Sequence, residues 1–211
     1  MAYIYLHGFA SSPSSTKAKH LRDRFAELGI DLKTPDLNQG DFSHLTITRQ
    51  IAQIAAELPA NSAPVTLIGS SLGGLTAAWL AQQYPQIQRL VLLAPAFEFL
   101  AHWLRQLGEQ KLKQWQLEQY LQVYHYGEER SLPLNYNFLL DAAKYQEDRL
   151  LRSVPTLILH GVGDEVIPIE ASRNYARLHP EVKLVELNSD HALGDVMVEI
   201  WQQIQVFCQL S

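Results

Sequence analysis

The stretch Val65-Thr66-Leu67-Ile68-Gly69-Ser70-Ser71-Leu72-Gly73-Gly74 decides how the chain is read. Its first four residues are apolar or β-branched, which predicts a buried strand, and the residues after Ser71 open a helical pattern, Leu72–Tyr84, closed by Pro85. Between strand and helix lies Gly-x-Ser-x-Gly with Ser71 at its centre. A serine on so sharp a turn is held in a strained backbone conformation with its hydroxyl exposed above the sheet. Glycines two residues to either side remove the Cβ atoms that would strike the adjoining strand and helix. Ser70 cannot be the centre, because its flanks at that spacing are Ile68 and Leu72.

On either side of this segment, short runs rich in β-branched and aromatic residues predict five further strands: Tyr3–Leu6, Ile30–Lys33, Leu90–Leu93, Thr156–Leu159 and Lys183–Leu187. Most are apolar on both sides of the pleat, as strands covered by helices on both faces must be. Apolar residues at spacings of three and four mark helices at Ser14–Leu28, Ile47–Leu58, Ile169–Leu178 and Asp195–Leu210. Strands alternating with helices predict an α/β protein, a three-layer α/β/α sandwich around a parallel, doubly wound sheet. The 211 residues fit a single domain, 1–211.

The alternation breaks once. Between Leu93 and Thr156 the chain is far longer than one helix and its loops require, and it holds ten of the twenty aromatic residues. Residues 96–150 therefore read either as helices with a small satellite core or as a helical cap inserted between the fourth and fifth strands. In the second reading Trp103, Trp115 and Tyr136 are candidate substrate contacts, since aromatics supply apolar area with a polar tip.

A serine hydroxyl is a poor nucleophile at neutral pH, so Ser71 needs a base and a group to orient that base. His191 follows the last predicted strand and Asp164 the one before it, so both fall on the carboxyl edge of the sheet, as Ser71 does. Asp190 is adjacent to His191 and poorly placed to orient it. Glu165 and Glu98 are the rival acids, the first beside Asp164 and the second after the fourth strand. The loop His7-Gly8-Phe9, directly after the first strand, brings the Phe9 N–H towards that of Leu72, two donors for an oxyanion. Ser14 or Ser15 caps the helix that follows. His160 reads as a residue that holds its loop, and His20, His44, His102, His125 and His179 as solvated or packed side chains.

Composition narrows the partner. With 22 acidic and 17 basic residues, a net charge of −5 and no block of like charges, the surface suits neither nucleic acid nor an anionic membrane, and a small molecule is expected. No apolar run is long and unbroken enough to span a bilayer. One cysteine, Cys208, excludes a disulfide framework and a cysteine-rich metal site; with no export signal at Met1–Phe9, a cytoplasmic location is expected. The chemistry requires neither metal nor organic cofactor.

The oxyanion loop, the Gly69–Gly73 turn, His160-Gly161-x-x-Asp164-x-x-x-Pro168 and the late His191 stand in the order seen in the α/β-hydrolase superfamily. More narrowly, YLHGFASSPSSTKA with Ile68–Gly74 resembles the small bacterial YqiA-type esterases. That resemblance implies hydrolysis of a carboxylic ester, with Ser71, Asp164 and His191 as triad; a thioesterase or carbon–carbon hydrolase would use the same groups, and a non-catalytic small-molecule receptor on this scaffold is the other reading. The resemblance also implies a minimal sheet of about six parallel strands in the order second, first, third, fourth, fifth, sixth, because the two antiparallel strands that lead the larger members are missing at the front.

Overall fold

Alternation of apolar and turn-forming segments resolves, in the computed structural model, into the series expected for a parallel sheet; residues 1–60 and 63–210 are described. The first half runs β1 (Ala2–Leu6), α1 (Thr16–Glu27), β2 (Leu32–Lys33), α2 (Ile47–Glu57), β3 (Val65–Ser70), α3 (Leu72–Gln83) and β4 (Ile87–Leu93). Then come α4 (Phe99–Glu118), β5 (Tyr120–His125), β6 (Arg130–Asn135) and α5 (Asn137–Ala142), followed by β7 (Thr156–Gly161), α6 (Ile169–Leu178), β8 (Val182–Leu187) and α7 (Met197–Cys208). Six strands form one sheet in the order β2-β1-β3-β4-β7-β8, every pair parallel. This is the order that the resemblance implied.

The pleat sorts side chains into two cores. Ile4, Leu6 and Leu67 face α2, α3 and the segment between β4 and β7, whereas Tyr3, Tyr5 and Ile68 face α1 and α7. Helix α3 is buried from Leu72 to Ala81, so it lacks the polar face of its neighbours. Ser15, one of the two serines considered for the role, caps α1 by accepting from the Ala18 N–H at 3.4 Å. Cys208 is buried in the α7 layer, and burial pushes its thiol up to about 11.

The segment between β4 and β7 differs from the all-helical expectation, because β5 and β6 form an antiparallel hairpin pairing Tyr120 with Asn135 and His125 with Arg130. Helix α4 is itself divided at Gly108, whose φ of 76° interrupts the helix. The piece before the break carries Phe99 and Trp103; the piece after it carries Trp115, whose indole N–H donates to Leu134 O of β6 at 3.0 Å. The hairpin turn touches the body of the protein at one decisive place. Tyr126 N–H donates to Ala10 O at 2.8 Å, so the tip of the hairpin is bonded to the loop after β1.

Candidate active site

Ser71 stands where β3 turns into α3, with φ 52° and ψ −119°. For a residue with a Cβ this left-handed φ is strained, and surrounding bonds hold it. Ser71 N–H donates to Leu93 O at 2.9 Å, and Ser71 O accepts from the N–H groups of Gly74 and Ala96 at 2.8 and 3.0 Å. The glycines of the turn have the steric role read from the sequence. A Cβ on Gly69 would collide with the Gly73 carbonyl, and one on Gly73 with the carbonyl oxygens of Leu6 and His7. Strand and helix approach that closely only without side chains.

The loops after β7 and β8 bring Asp164 and His191 to this turn. His191 Nε2 lies 3.2 Å from Ser71 Oγ, and His191 Nδ1 lies 2.7 Å from Asp164 Oδ2. Since a carboxylate only accepts, Nδ1 carries the proton and Nε2 presents its lone pair to the serine. The Asp164 side chain is fully buried, that of His191 is 23% exposed. Burial by itself would raise the Asp164 carboxyl, but hydrogen bonds from His160 and His191 and from the Ile167 N–H outweigh it and hold the group well below the usual carboxylate range. Asp164 Oδ1 accepts from the N–H groups of Val166 and Ile167, both at 2.8 Å. Gly161 admits the histidine loop, because a Cβ there would collide with the Ser189 and Asp190 carbonyls.

The rival acids lie elsewhere. Glu98 accepts from Asn174 Nδ2 at 3.2 Å, and Glu165 is exposed. His160 does hold its loop: it is completely buried, with Nε2 3.1 Å from Asp164 Oδ2 and 3.0 Å from Ile167 O. Those two acceptors place the proton on Nε2, and Nδ1 accepts from the Ser172 hydroxyl at 2.7 Å. His7 acts similarly on the opposite loop. Its Nδ1–H donates to Gly8 O at 2.9 Å while Nε2 accepts from the Leu37 N–H at 3.0 Å, which fixes the peptide just before Phe9.

Neither the Phe9 nor the Leu72 N–H meets an acceptor among the described residues. Leu72 also opens α3, whose N-terminal end favours negative charge. Beside Ser71 lies a cavity of about 130 Å³, lined by Phe9, Leu72, Phe99, Trp103, Phe138 and Ile167 among others, with Gln106 as a polar member. Of the three aromatics singled out in the sequence, Trp103 borders this cavity. Trp115 and Tyr136 do not line this cavity: Trp115 is 1% exposed and packs between Trp103 and Tyr136, at ring-centroid distances of 5.5 Å to each. Both support the wall from behind. Phe99 and Phe138 were among the aromatics of the insertion, but nothing in their spacing separates a lining ring from a supporting one. Among the described residues no cluster of three or more His, Cys, Asp or Glu side chains is arranged to hold a metal ion.

This sheet order, with the strained serine at the end of its third strand, defines an α/β-hydrolase fold. Solved structures agree. Alpha/beta hydrolase domain-containing protein 10 from mouse superposes with a TM-score of 0.81 at 22% identity, over 100% of this chain and 90% of the mouse chain. Est1E from Butyrivibrio proteoclasticus, solved with ferulic acid bound, superposes with a TM-score of 0.80 at 20% identity, over 99% of this chain and 88% of its own. The chain belongs to the uncharacterised protein family UPF0227, whose profile matches residues 2–208.

Proposed function

We propose that the protein is a serine hydrolase that cleaves small carboxylic esters through an acyl-enzyme. The observation that carries this reading is the unbroken hydrogen-bonded line from Ser71 Oγ through His191 to Asp164, opening on an apolar cavity. In the first half-reaction His191 Nε2 takes the Ser71 proton as Oγ bonds to the acyl carbon. The carbonyl oxygen becomes an oxyanion, which the free N–H groups of Phe9 and Leu72 stabilise. Collapse expels the alcohol, which leaves with the proton held by His191. In the second half-reaction His191 takes a proton from water as the resulting hydroxide bonds to the acyl carbon; the acyl carbon–Oγ bond then breaks, releasing the carboxylic acid, and Ser71 Oγ takes back the proton held by His191.

Asp164 keeps the imidazole in the Nδ1–H tautomer and stabilises the imidazolium that forms twice per cycle. Residues 96–150 act as the cap, since Phe99, Trp103, Gln106 and Phe138 all come from them and all border the cavity beside Ser71. The lining holds no charged side chain, which favours an uncharged acyl group over a phosphorylated or ammonium-bearing one. The fold is shared with Est1E, solved with ferulic acid bound, which is compatible with this reaction class. A single cysteine and the absence, among the described residues, of a helix long and apolar enough to cross a membrane are consistent with a cytoplasmic enzyme.

The test is turnover of p-nitrophenyl acetate and butyrate together with labelling by a fluorophosphonate. The wild-type protein should label at Ser71 and hydrolyse one or both esters, and Ser71→Ala should lose both properties, with kcat falling roughly 10⁴- to 10⁶-fold. Near-wild-type turnover by Ser71→Ala would overturn the mechanism, and a wild type that neither labels nor turns over would favour a binding protein built on this scaffold.

A further inference from the structure

The loop that carries His191 is tethered from the helix layer as well as from the sheet. Within it, Asp190 Oδ1 accepts from the N–H groups of Ala192 and Leu193 at 2.8 and 3.3 Å, and the Ser189 hydroxyl donates to the Asp195 carboxylate. From the β7 side, Gly163 N–H donates to Ser189 O at 3.0 Å. The remaining tie comes from the other end of the sequence. Lys17 Nζ, on α1, donates to Ala192 O at 2.8 Å, the carbonyl next to His191. The charged groups facing this ammonium are Asp164, from the loop after β7, and Asp190, from the loop after β8. One cation is thereby set among two carboxylates, one hydrogen-bonded to His191 and the other adjacent to it in sequence.

We propose that Lys17 is a positioning residue for His191, fixing the histidine loop against α1 and setting a cation near the two carboxylates that flank the imidazole. The proposal rests on His191 acting as the base. Its electrostatics are simple. Two nearby carboxylates favour imidazolium, which cannot take the Ser71 proton, and a neighbouring ammonium opposes that bias. Its mechanics follow from the bond to Ala192: a base displaced by about 1 Å costs on the order of 100-fold in rate. The ammonium has an upper limit of its own, because burial, only partly opposed by Asp164 and Asp190, lowers it to about 8. Above that pH Lys17 loses its charge.

The full chain and its Lys17→Met and Lys17→Arg variants decide the matter, with p-nitrophenyl butyrate kinetics from about pH 5 to about pH 10 and an NMR titration of the His191 ring. Lys17→Met should lose about tenfold in kcat/KM at neutral pH, move the acid limb to higher pH, and raise the titration midpoint of His191. Lys17→Arg should keep the wild-type acid limb and extend the plateau past the alkaline limb, since a guanidinium does not lose its proton in this range. A Lys17→Met profile with both wild-type limbs, or an unmoved His191 titration, would overturn the proposal even if the variant were merely slower. The NMR arm needs no turnover. If the wild type neither labels at Ser71 nor hydrolyses esters, the hydrolase reading fails, while a shifted His191 titration would still establish the link to Lys17.

Discussion

His160 Nε2 lies 3.1 Å from Asp164 Oδ2, the same oxygen that meets His191 Nδ1 at 2.7 Å. One carboxylate oxygen therefore receives hydrogen bonds from two imidazoles, a fully buried one behind it and a part-exposed one in front. Oδ1 is occupied by the N–H groups of Val166 and Ile167, so every direction of approach to the acid is assigned. The rear histidine and the backbone donors orient the carboxylate before any substrate arrives.

Replacing His160 with phenylalanine keeps an aromatic ring, though a larger one in a fully buried site, and deletes one donor to Asp164, while leaving the Ser172 hydroxyl and Ile167 carbonyl without their partner. The variant should lose about 2 kcal/mol of stability and about tenfold in kcat, with KM little changed. Urea unfolding and ester kinetics check the two parts separately. An unaltered kcat would show that the rear hydrogen bond contributes nothing to the orientation of Asp164.

The depressed titration of Asp164 has a pH signature. A carboxylate whose folded pKa lies below its unfolded value of about 3.9 contributes stability that is fully present above that value and fades as pH falls towards the folded one. The Tm advantage of the wild type over Asp164→Asn should accordingly be flat above about pH 5 and shrink below about pH 4. Thermal melts across that range test it, and an advantage that grew with acidification would contradict the assignment.

Gly73→Ala places a Cβ against the backbone carbonyls of Leu6 and His7, which cannot withdraw without moving β1 and the Phe9 loop. A loss of more than about 3 kcal/mol, or failure to fold, is expected. Gly163→Ala is the matched control, because the nearest atom to its Cβ would be Ser189 O at 3.3 Å, and it should cost less than about 1 kcal/mol. Equal stabilities for the two variants, read by denaturant unfolding, would refute the close-approach argument.

Trp103 borders two spaces, the cavity of about 130 Å³ beside Ser71 and a groove of about 620 Å³ between α4 and β5, and Phe9 borders both with it. The two rings stand edge to face with centroids 5.9 Å apart. Trp103→Ala should join the spaces and raise kcat/KM for p-nitrophenyl octanoate relative to acetate by about tenfold. A chain-length profile that keeps its wild-type shape would show that the ring does not divide them.

The core of this arrangement is legible in the sequence because its signals are local. Val65–Gly74 contains the strand, the turn and the glycines that the turn needs, and the alternation of Ile4 and Leu6 with Tyr3 and Tyr5 fixes which side of the sheet each faces. The hairpin left a weaker signal. Residues 120–124 do alternate in exposure, but Pro133 interrupts the pattern of the second strand. Which aromatics line the cavity and which stand behind them depends on the bend at Gly108 and on the Trp115 bond to Leu134, both set by tertiary packing. The second partner of Asp164 is visible only in part, since His160 sits at the right strand end while its bond to Ser172 spans two elements.

The bond from Tyr126 N–H to Ala10 O couples the inserted segment to the loop after β1. In a graft of 96–150 from one relative onto the body of another, a residue other than glycine at 127 would press on Ser12, because a Cβ there would lie 2.9 Å from the Ser12 Cβ. A change in the lining of the cavity beside Ser71 is thereby coupled to the fit of the loop that carries the Phe9 amide, and recombination at the β4 and β7 boundaries alone is expected to yield folded but catalytically impaired chimeras.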